Sequence, residues 1–381
     1  MRYDFTTPAV QAVADNIKWN KYAGRDVLPL WVADMDFASP PEITAALQQR
    51  VASASFGYSE PTPGVIAAVL GAMWRDYGWT VAPEWLVPLP GLVAGLNIAC
   101  RATGGAADGV LSATPIYPPF MSAPAFSGRP LLKVPLLEPT GDEGWRWDWA
   151  ALEREAAGAR TLLLCHPHNP VGRVWTADEL DRLAAIALRH DLTVVSDEIH
   201  CDLLLEPGAR HTPLATLSPV LAARTITLMA PSKTYNVAGL ACAFAIIADA
   251  GLRHAFQRAM RGIVPHVNLL GYVAAEAAYR DGATWRDELI AVLRHNRDRV
   301  IEALDGVAGL RVAPPEATYL AWIDCRSAGI ASPQRFFEEA GVGLSDGADF
   351  GLPGFVRLNF GCPEATLTQA LARMRKALGV A

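Results

Sequence analysis

The chain has 381 residues, 51% of them apolar, with 33 Lys and Arg against 39 Asp and Glu and a formal net charge of −6. That length points to two domains and that apolar share fills substantial cores, which excludes a disordered, collagenous or small disulfide-scaffold protein. The mild acidity argues against a nucleic-acid or anionic-membrane surface as the main partner, because both need a basic face.

In chain order, Met1 to Thr7 shows no apolar run with a small-residue cleavage site, so no signal peptide is read there. Ser39-Pro40-Pro41-Glu42 opens a helix to about Val51, with prolines in its first turn. Residues 110–113, 161–165, 192–196, 225–229 and 241–247 are short apolar runs rich in branched side chains, the pattern of buried strands. Thr176-Ala177-Asp178-Glu179 is a capping box that starts a helix reaching about His190. The longest greasy stretch, residues 237–248, is too short to cross a bilayer. Beyond it a long amphipathic helix over 284–304 leads to a strand near 318–323 and a helix from Pro333. A strand at 355–359 and a last helix from Ala365 complete the pattern.

Strands alternating with helices build a mostly parallel sheet with helices on both faces. The expected fold is therefore α/β: a large domain over residues 46–282 and a smaller α+β domain over 283–381, to which residues 1–45 contribute. Six scattered cysteines, with no close pair, read as buried reduced thiols in a cytoplasmic protein.

In such sheets ligands bind beyond the carboxyl ends of the strands. There the sequence places His166-Pro167-His168-Asn169-Pro170, Asp197-Glu198-Ile199-His200 and Ser232-Lys233-Thr234-Tyr235-Asn236. An amide, a carboxylate and a lysine at neighbouring strand tips converge on one crevice. A lysine in a dry crevice loses its charge easily and can join a carbonyl. The carboxylate suits a protonated ring nitrogen, and the amide can donate to a phenolate-like oxygen. Pyridoxal phosphate offers all three partners on one ring. Its phosphate needs donors, which Leu92 and Val93 supply if they open a helix after Pro90-Gly91, with the Ser232 hydroxyl beside them.

Together with Arg357-Leu358-Asn359-Phe360, these motifs resemble the fold-type I pyridoxal phosphate enzymes of the aminotransferase class I/II superfamily. More narrowly, Trp31-Val32-Ala33-Asp34-Met35-Asp36-Phe37, Phe56-Gly57-Tyr58 and Val174-Trp175-Thr176 are similar to its cystathionine β-lyase (MalY/PatB) branch. The resemblance implies that Lys233 carries the cofactor aldehyde, Asp197 pairs with the ring nitrogen, Asn169 bonds the ring oxygen and Tyr117 stacks on the ring. It also implies that Arg357 clamps the substrate carboxylate, that Ala33 lies in the substrate-binding segment, and that Tyr58 reaches the active site of a neighbouring subunit in a homodimer. His200 stands where many relatives carry a tyrosine that touches the ring oxygen. Ala241 stands where many aminotransferases carry a phosphate-binding arginine, which leaves the phosphate to backbone N–H groups, Ser232 and Tyr58. Asp34 and Asp36 read as turn carboxylates without chemistry.

The implied activity is β-elimination from L-cystathionine or related S-substituted L-cysteines, giving a thiol, pyruvate and ammonia. The alternative is an aminotransferase acting on a small amino acid. A metal hydrolase built on His166, His168, Asp197 and His200 is a rival from another class. It lacks His-x-x-x-His spacing, and Pro167 limits convergence of the two histidines, so no metal ligand is assigned. A cofactor-binding regulator that turns over nothing is the remaining reading.

Overall fold

Apolar runs buried on both sides need helices on both faces of a sheet. The computed structural model describes residues 1–9, 15–140 and 143–380 and has that arrangement. One seven-stranded sheet runs in the order Leu86–Leu89, Ala243–Ile246, Thr225–Met229, Thr193–Asp197, Ala159–Cys165, Gly109–Thr114, Leu131–Pro135. The last five of these strands pair in parallel, while Ala243–Ile246 is antiparallel to both of its neighbours. All five residues of Thr225–Met229 are buried. At about 1.5–3 kcal/mol for each large aliphatic side chain removed from water, such a strand anchors the sheet centre.

Two strands, Leu86–Leu89 and Leu131–Pro135, are absent from the sequence reading. Both lie at sheet edges, are only partly buried and contain a proline, Pro88 or Pro135, which weakens the strand signal of the run. The expected strand at 241–247 begins at Ala243 instead. Ala241 has φ +50° and caps the short 3-10 turn Ala238–Leu240, so extended backbone starts after it.

The helix Ala177–Arg189 has the complete capping box: Glu179 N–H donates to Thr176 Oγ1 at 3.2 Å, and Thr176 N–H donates to Glu179 Oε2 at 2.8 Å. The helix expected after Ser39 spans Pro41–Ala52, but Pro40 is its N-cap and no side chain caps it. The Ser39 hydroxyl is engaged elsewhere, donating to the Asn236 carbonyl at 2.8 Å.

A second, antiparallel sheet runs Ser345–Asp346, Phe355–Asn359, Leu320–Asp324, Arg311–Val312, backed by the helices Ala283–Leu304 and Glu364–Ala377. The N-terminal strand Leu28–Pro29 pairs in parallel with Val342–Gly343 of this unit. Residues 10–14, 141–142 and 381, which belong to the expected 1–45, 46–282 and 283–381 units, lie outside the described residues. Among the described residues no helix is long and apolar enough to cross a membrane.

Candidate active site

Register sets the site. Cys165 pairs with Asp197, and Asp197 with Leu228, so three parallel strands end side by side. Asp197, at the end of its strand, and Asn169 and Lys233, on the loops that leave the other two, reach into one cavity of about 210 Å³. Tyr117, Ser232, His200, Leu92, Val93, Arg357 and Ala33 line it too. Ten of the eleven residues singled out from sequence therefore meet. Tyr58 does not: on the single chain it is fully exposed and outside the cavity. Val32, Phe120, Cys165 and Ile199 also line the cavity. They are apolar or small side chains of the kind any core contains, so sequence gave no signal for them.

Each polar group has a defined environment. Lys233 Nζ donates to the Ala33 carbonyl at 2.6 Å. Burial lowers its proton affinity and Arg357 pushes the same way, against the carboxylates of Asp34 and Asp197. Asp197 accepts from the Ile199 N–H at 3.1 Å, and burial lifts its carboxyl to about 7. The neighbouring Glu198 pushes it further up, while Lys233 opposes. Arg357 lies on the buried strand Phe355–Asn359; its Nη1 donates to Asn169 Oδ1 at 3.0 Å and its Nη2 to the Trp31 carbonyl at 3.0 Å. With the amide oxygen so engaged, Asn169 Nδ2 remains as a donor. Burial drops His200 to about 3, so its imidazole is neutral, and its Nδ1 is buried without a partner.

The helix Leu92–Ala102 starts at the cavity with Gly91 as N-cap and no capping side chain. Its first N–H groups are thus available to an anion, and the helix dipole favours one there.

A segment from the other end of the chain forms the opposite wall. The carbonyls of Val32 and Asp34 each accept from Asn359 Nδ2 at 2.7 Å. Asn236 Nδ2 donates to the carbonyls of Met35 at 3.1 Å and Phe37 at 2.7 Å. Asp36, read from sequence as a plain turn carboxylate, forms a fully buried ion pair with Lys18 at 2.9 Å. Lys18 also donates to the Asp34 carbonyl at 2.8 Å.

The residues of the rival metal reading separate. The His166 ring packs on His211 with centroids 4.4 Å apart, whereas His168 Nε2 lies 2.8 Å from the Pro115 carbonyl. No group of three or more His, Cys, Asp or Glu is placed to hold a metal among the described residues.

Comparison with known proteins agrees with this geometry. Residues 25–374 match the family model described as aminotransferase class I and II. Cystathionine beta-lyase PatB of Bacillus subtilis (strain 168) is 39% identical, over 95% of this chain and 96% of its own. The crystal structure of OvoB is 46% identical with a TM-score of 0.95, covering 99% of both chains. Cystalysin from Treponema denticola, whose crystal structure contains pyridoxal 5'-phosphate, is 34% identical with a TM-score of 0.94, covering 100% of this chain and 99% of that one. With ten predicted residues around one cavity and matches of this extent, the chain belongs to the aminotransferase class I and II family, in the branch that holds PatB.

Proposed function

We propose that this chain is a pyridoxal phosphate-dependent carbon–sulfur lyase. Its substrate is L-cystathionine or a related S-substituted L-cysteine, cleaved to a thiol, pyruvate and ammonia. The observation that carries this reading is the half-buried Lys233 amine sharing one cavity with the buried Asp197 carboxylate and the buried Arg357 guanidinium. The naming of PatB as a cystathionine beta-lyase supports the carbon–sulfur specificity.

The residues present fit the cofactor. Arg357 Nε is buried without a partner, Asp197 lines the cavity with its carboxyl buried, and the helix start at Leu92 is uncapped. These are places for a substrate carboxylate, a cationic ring nitrogen and a phosphate. Lys233, Asp197, Asn169, Tyr117, Ser232, His200, Leu92 and Val93 would hold the cofactor. When bound, it supplies an aldehyde that condenses with amines and an electron-withdrawing ring that stabilises negative charge on the substrate α-carbon.

The chain's own groups do the rest. Arg357, steadied by its bond to Asn169 Oδ1, grips the substrate carboxylate and fixes which bond at the α-carbon is broken. Lys233, whose proton affinity burial lowers, takes the α-proton at Nζ and has it to give to the departing sulfur. Asp197, as an anion, keeps the ring nitrogen protonated, a charge stabilisation that needs no reorganisation during the reaction. Neutral His200 adds bulk and a hydrogen-bonding nitrogen to the cavity wall without adding charge.

The same reading makes the protein a cytoplasmic homodimer. All six cysteines are free and buried, as suits a reducing compartment. Tyr58 and Phe56 are exposed apolar side chains, which a second copy would cover while bringing Tyr58 to its neighbour's cavity.

Purified protein should show a visible absorption band that borohydride abolishes, with a pyridoxyl adduct on Lys233 by mass spectrometry. Lys233→Ala should lose that adduct and slow turnover by roughly 10⁴-fold or more. L-cystathionine should yield free thiol and pyruvate without any amino acceptor. Keto acid formed only when 2-oxoglutarate is supplied, with no thiol, would replace the lyase by an aminotransferase.

A further inference from the structure

Tyr319 is fully buried just behind the cavity, its ring edge-on to His200 with centroids 6.0 Å apart. Its hydroxyl donates to the Ala33 carbonyl at 3.0 Å, the same oxygen that accepts from Lys233 Nζ at 2.6 Å. One carbonyl thus serves a lysine and a tyrosine that lie far apart in sequence.

The backbone behind this contact is unusual. Thr318 has φ +74°, a left-handed conformation that a β-branched residue rarely adopts. It is held there by its N–H on the Leu203 carbonyl at 2.8 Å and by its hydroxyl, which accepts from the Leu320 N–H at 3.1 Å. Strain of this kind persists where the surroundings over-determine it, and here it fixes the direction in which Tyr319 leaves the chain. The carbonyl is equally constrained, because Asn359 Nδ2 holds the oxygens of Val32 and Asp34 on either side.

We propose that Tyr319 is a positioning residue for the Lys233 amine: its hydroxyl fixes the Ala33 carbonyl as the place where the free amine docks, and by sharing that oxygen it weakens the carbonyl's hold on the protonated form. The inference rests on the reading of Lys233 as the proton carrier. The sign follows from lone-pair sharing. An ammonium gains more from a carbonyl than a neutral amine does, so a second donor on that oxygen favours the neutral base. Tyr319 itself stays a donor, since burial and the Asp34 charge hold its phenol far above the ordinary range.

The other groups around the amine are Asp34 from the same segment, Asp197 from the strand tip, Arg357 from the second sheet, and His200, which burial keeps neutral.

The test is Tyr319→Phe, which keeps the ring and deletes the oxygen. In full-length protein stripped of cofactor, the reactivity of Lys233 toward a trace amine-acylating reagent, read by mass spectrometry across pH, gives its titration midpoint. That midpoint should rise by roughly half a pH unit in the variant, from the worth of one shared hydrogen bond. The acid limb of the kcat profile of the loaded enzyme, which reports the substrate-bound form in which the amine is free, should move the same way. An unchanged or lowered midpoint, with or without a drop in melting temperature, overturns the proposal and makes the hydroxyl a structural tie. The labelling needs no cofactor, whereas a missing borohydride adduct on Lys233 would sink the lyase reading itself, so the two failures are distinguishable.

Discussion

The two walls of the cavity are built on different principles. One consists of strand tips: Asp197 ends its strand, Asn169 and Lys233 follow the two parallel strands beside it, and each function resides in a side chain. The other is a length of irregular backbone, Trp31 to Phe37, whose contribution is carbonyl oxygens presented to Lys233, Arg357, Tyr319 and Asn359. The sheet wall supplies reactive groups, and the backbone wall determines where the long flexible cations come to rest. A change on the first wall should therefore be felt as lost chemistry, and one on the second as lost placement.

The largest effect of that contrast belongs to Asp197→Asn. On the proposed role of Asp197 as the ring nitrogen's partner, removing its charge should cost roughly 10²–10³-fold in kcat. Stability should move the other way. Burial lifts the Asp197 carboxyl to about 7, so the cofactor-free folded chain binds that proton more tightly than the unfolded chain does. Stability is consequently lost as pH rises from about 4 toward 7, and the deficit persists above that range. The asparagine variant, stripped of cofactor, should melt higher than the parent at about pH 8, with the gain fading toward about pH 4. A variant that is both slower and less stable at high pH would mean that the buried carboxylate has a cationic partner without the cofactor.

Arg357→Lys tests the junction of the walls. Lysine cannot reproduce the fork that holds Asn169 Oδ1 and the Trp31 carbonyl together. The expected loss is about 10–100-fold in kcat/KM, mostly through KM, measured with S-substituted cysteines. A loss confined to kcat would place the guanidinium in the chemistry rather than in carboxylate binding.

The sheet wall was legible in the sequence because it combines two readable signals. Apolar runs of strand length locate the tips, and the residue types that follow them are scarce in cores. Arg357 was legible too, as a charge alternating with Val356 and Leu358 on a buried strand. The backbone wall was named only by resemblance, since a carbonyl is common to every residue and Ala33 carries no chemical mark. What gives that segment its shape is Lys18, Asn236, Asn359 and Tyr319, scattered over some 340 positions and joined only by folding. Asp36 illustrates the limit: its sequence neighbours suit a turn, and only the fold brings Lys18 against it. Tyr58 shows the converse, a residue assigned to the cavity that the single chain leaves exposed.

Asn236→Ala isolates the backbone wall. Asn236 sits at φ +55° and ties the segment through the carbonyls of Met35 and Phe37, with the Met35 N–H on its Oδ1 at 3.2 Å. Alanine loses all three bonds and is strained at that φ. KM should rise about tenfold while kcat falls by a smaller factor, because the groups on the strand tips are untouched. Equal losses in both would show that the loop carrying Lys233 had shifted as well.

The smallest effect is expected from Thr176→Ala, on the sheet side but remote from the tips. It removes one arm of the capping box, leaving the Glu179 N–H without its hydroxyl acceptor. Loss of such a cap costs about 1 kcal/mol, which chemical denaturation can measure as a lower midpoint at unchanged slope. The helix Ala177–Arg189 packs Leu180, Leu183 and Ile186 into the core behind the sheet, whereas the strand ends are held by their own ladders. Frayed at its first turn, it should leave kcat and KM at parental values. A change in either constant would show that placement is transmitted through the sheet as well as through the backbone wall, and the division between the two walls would fail.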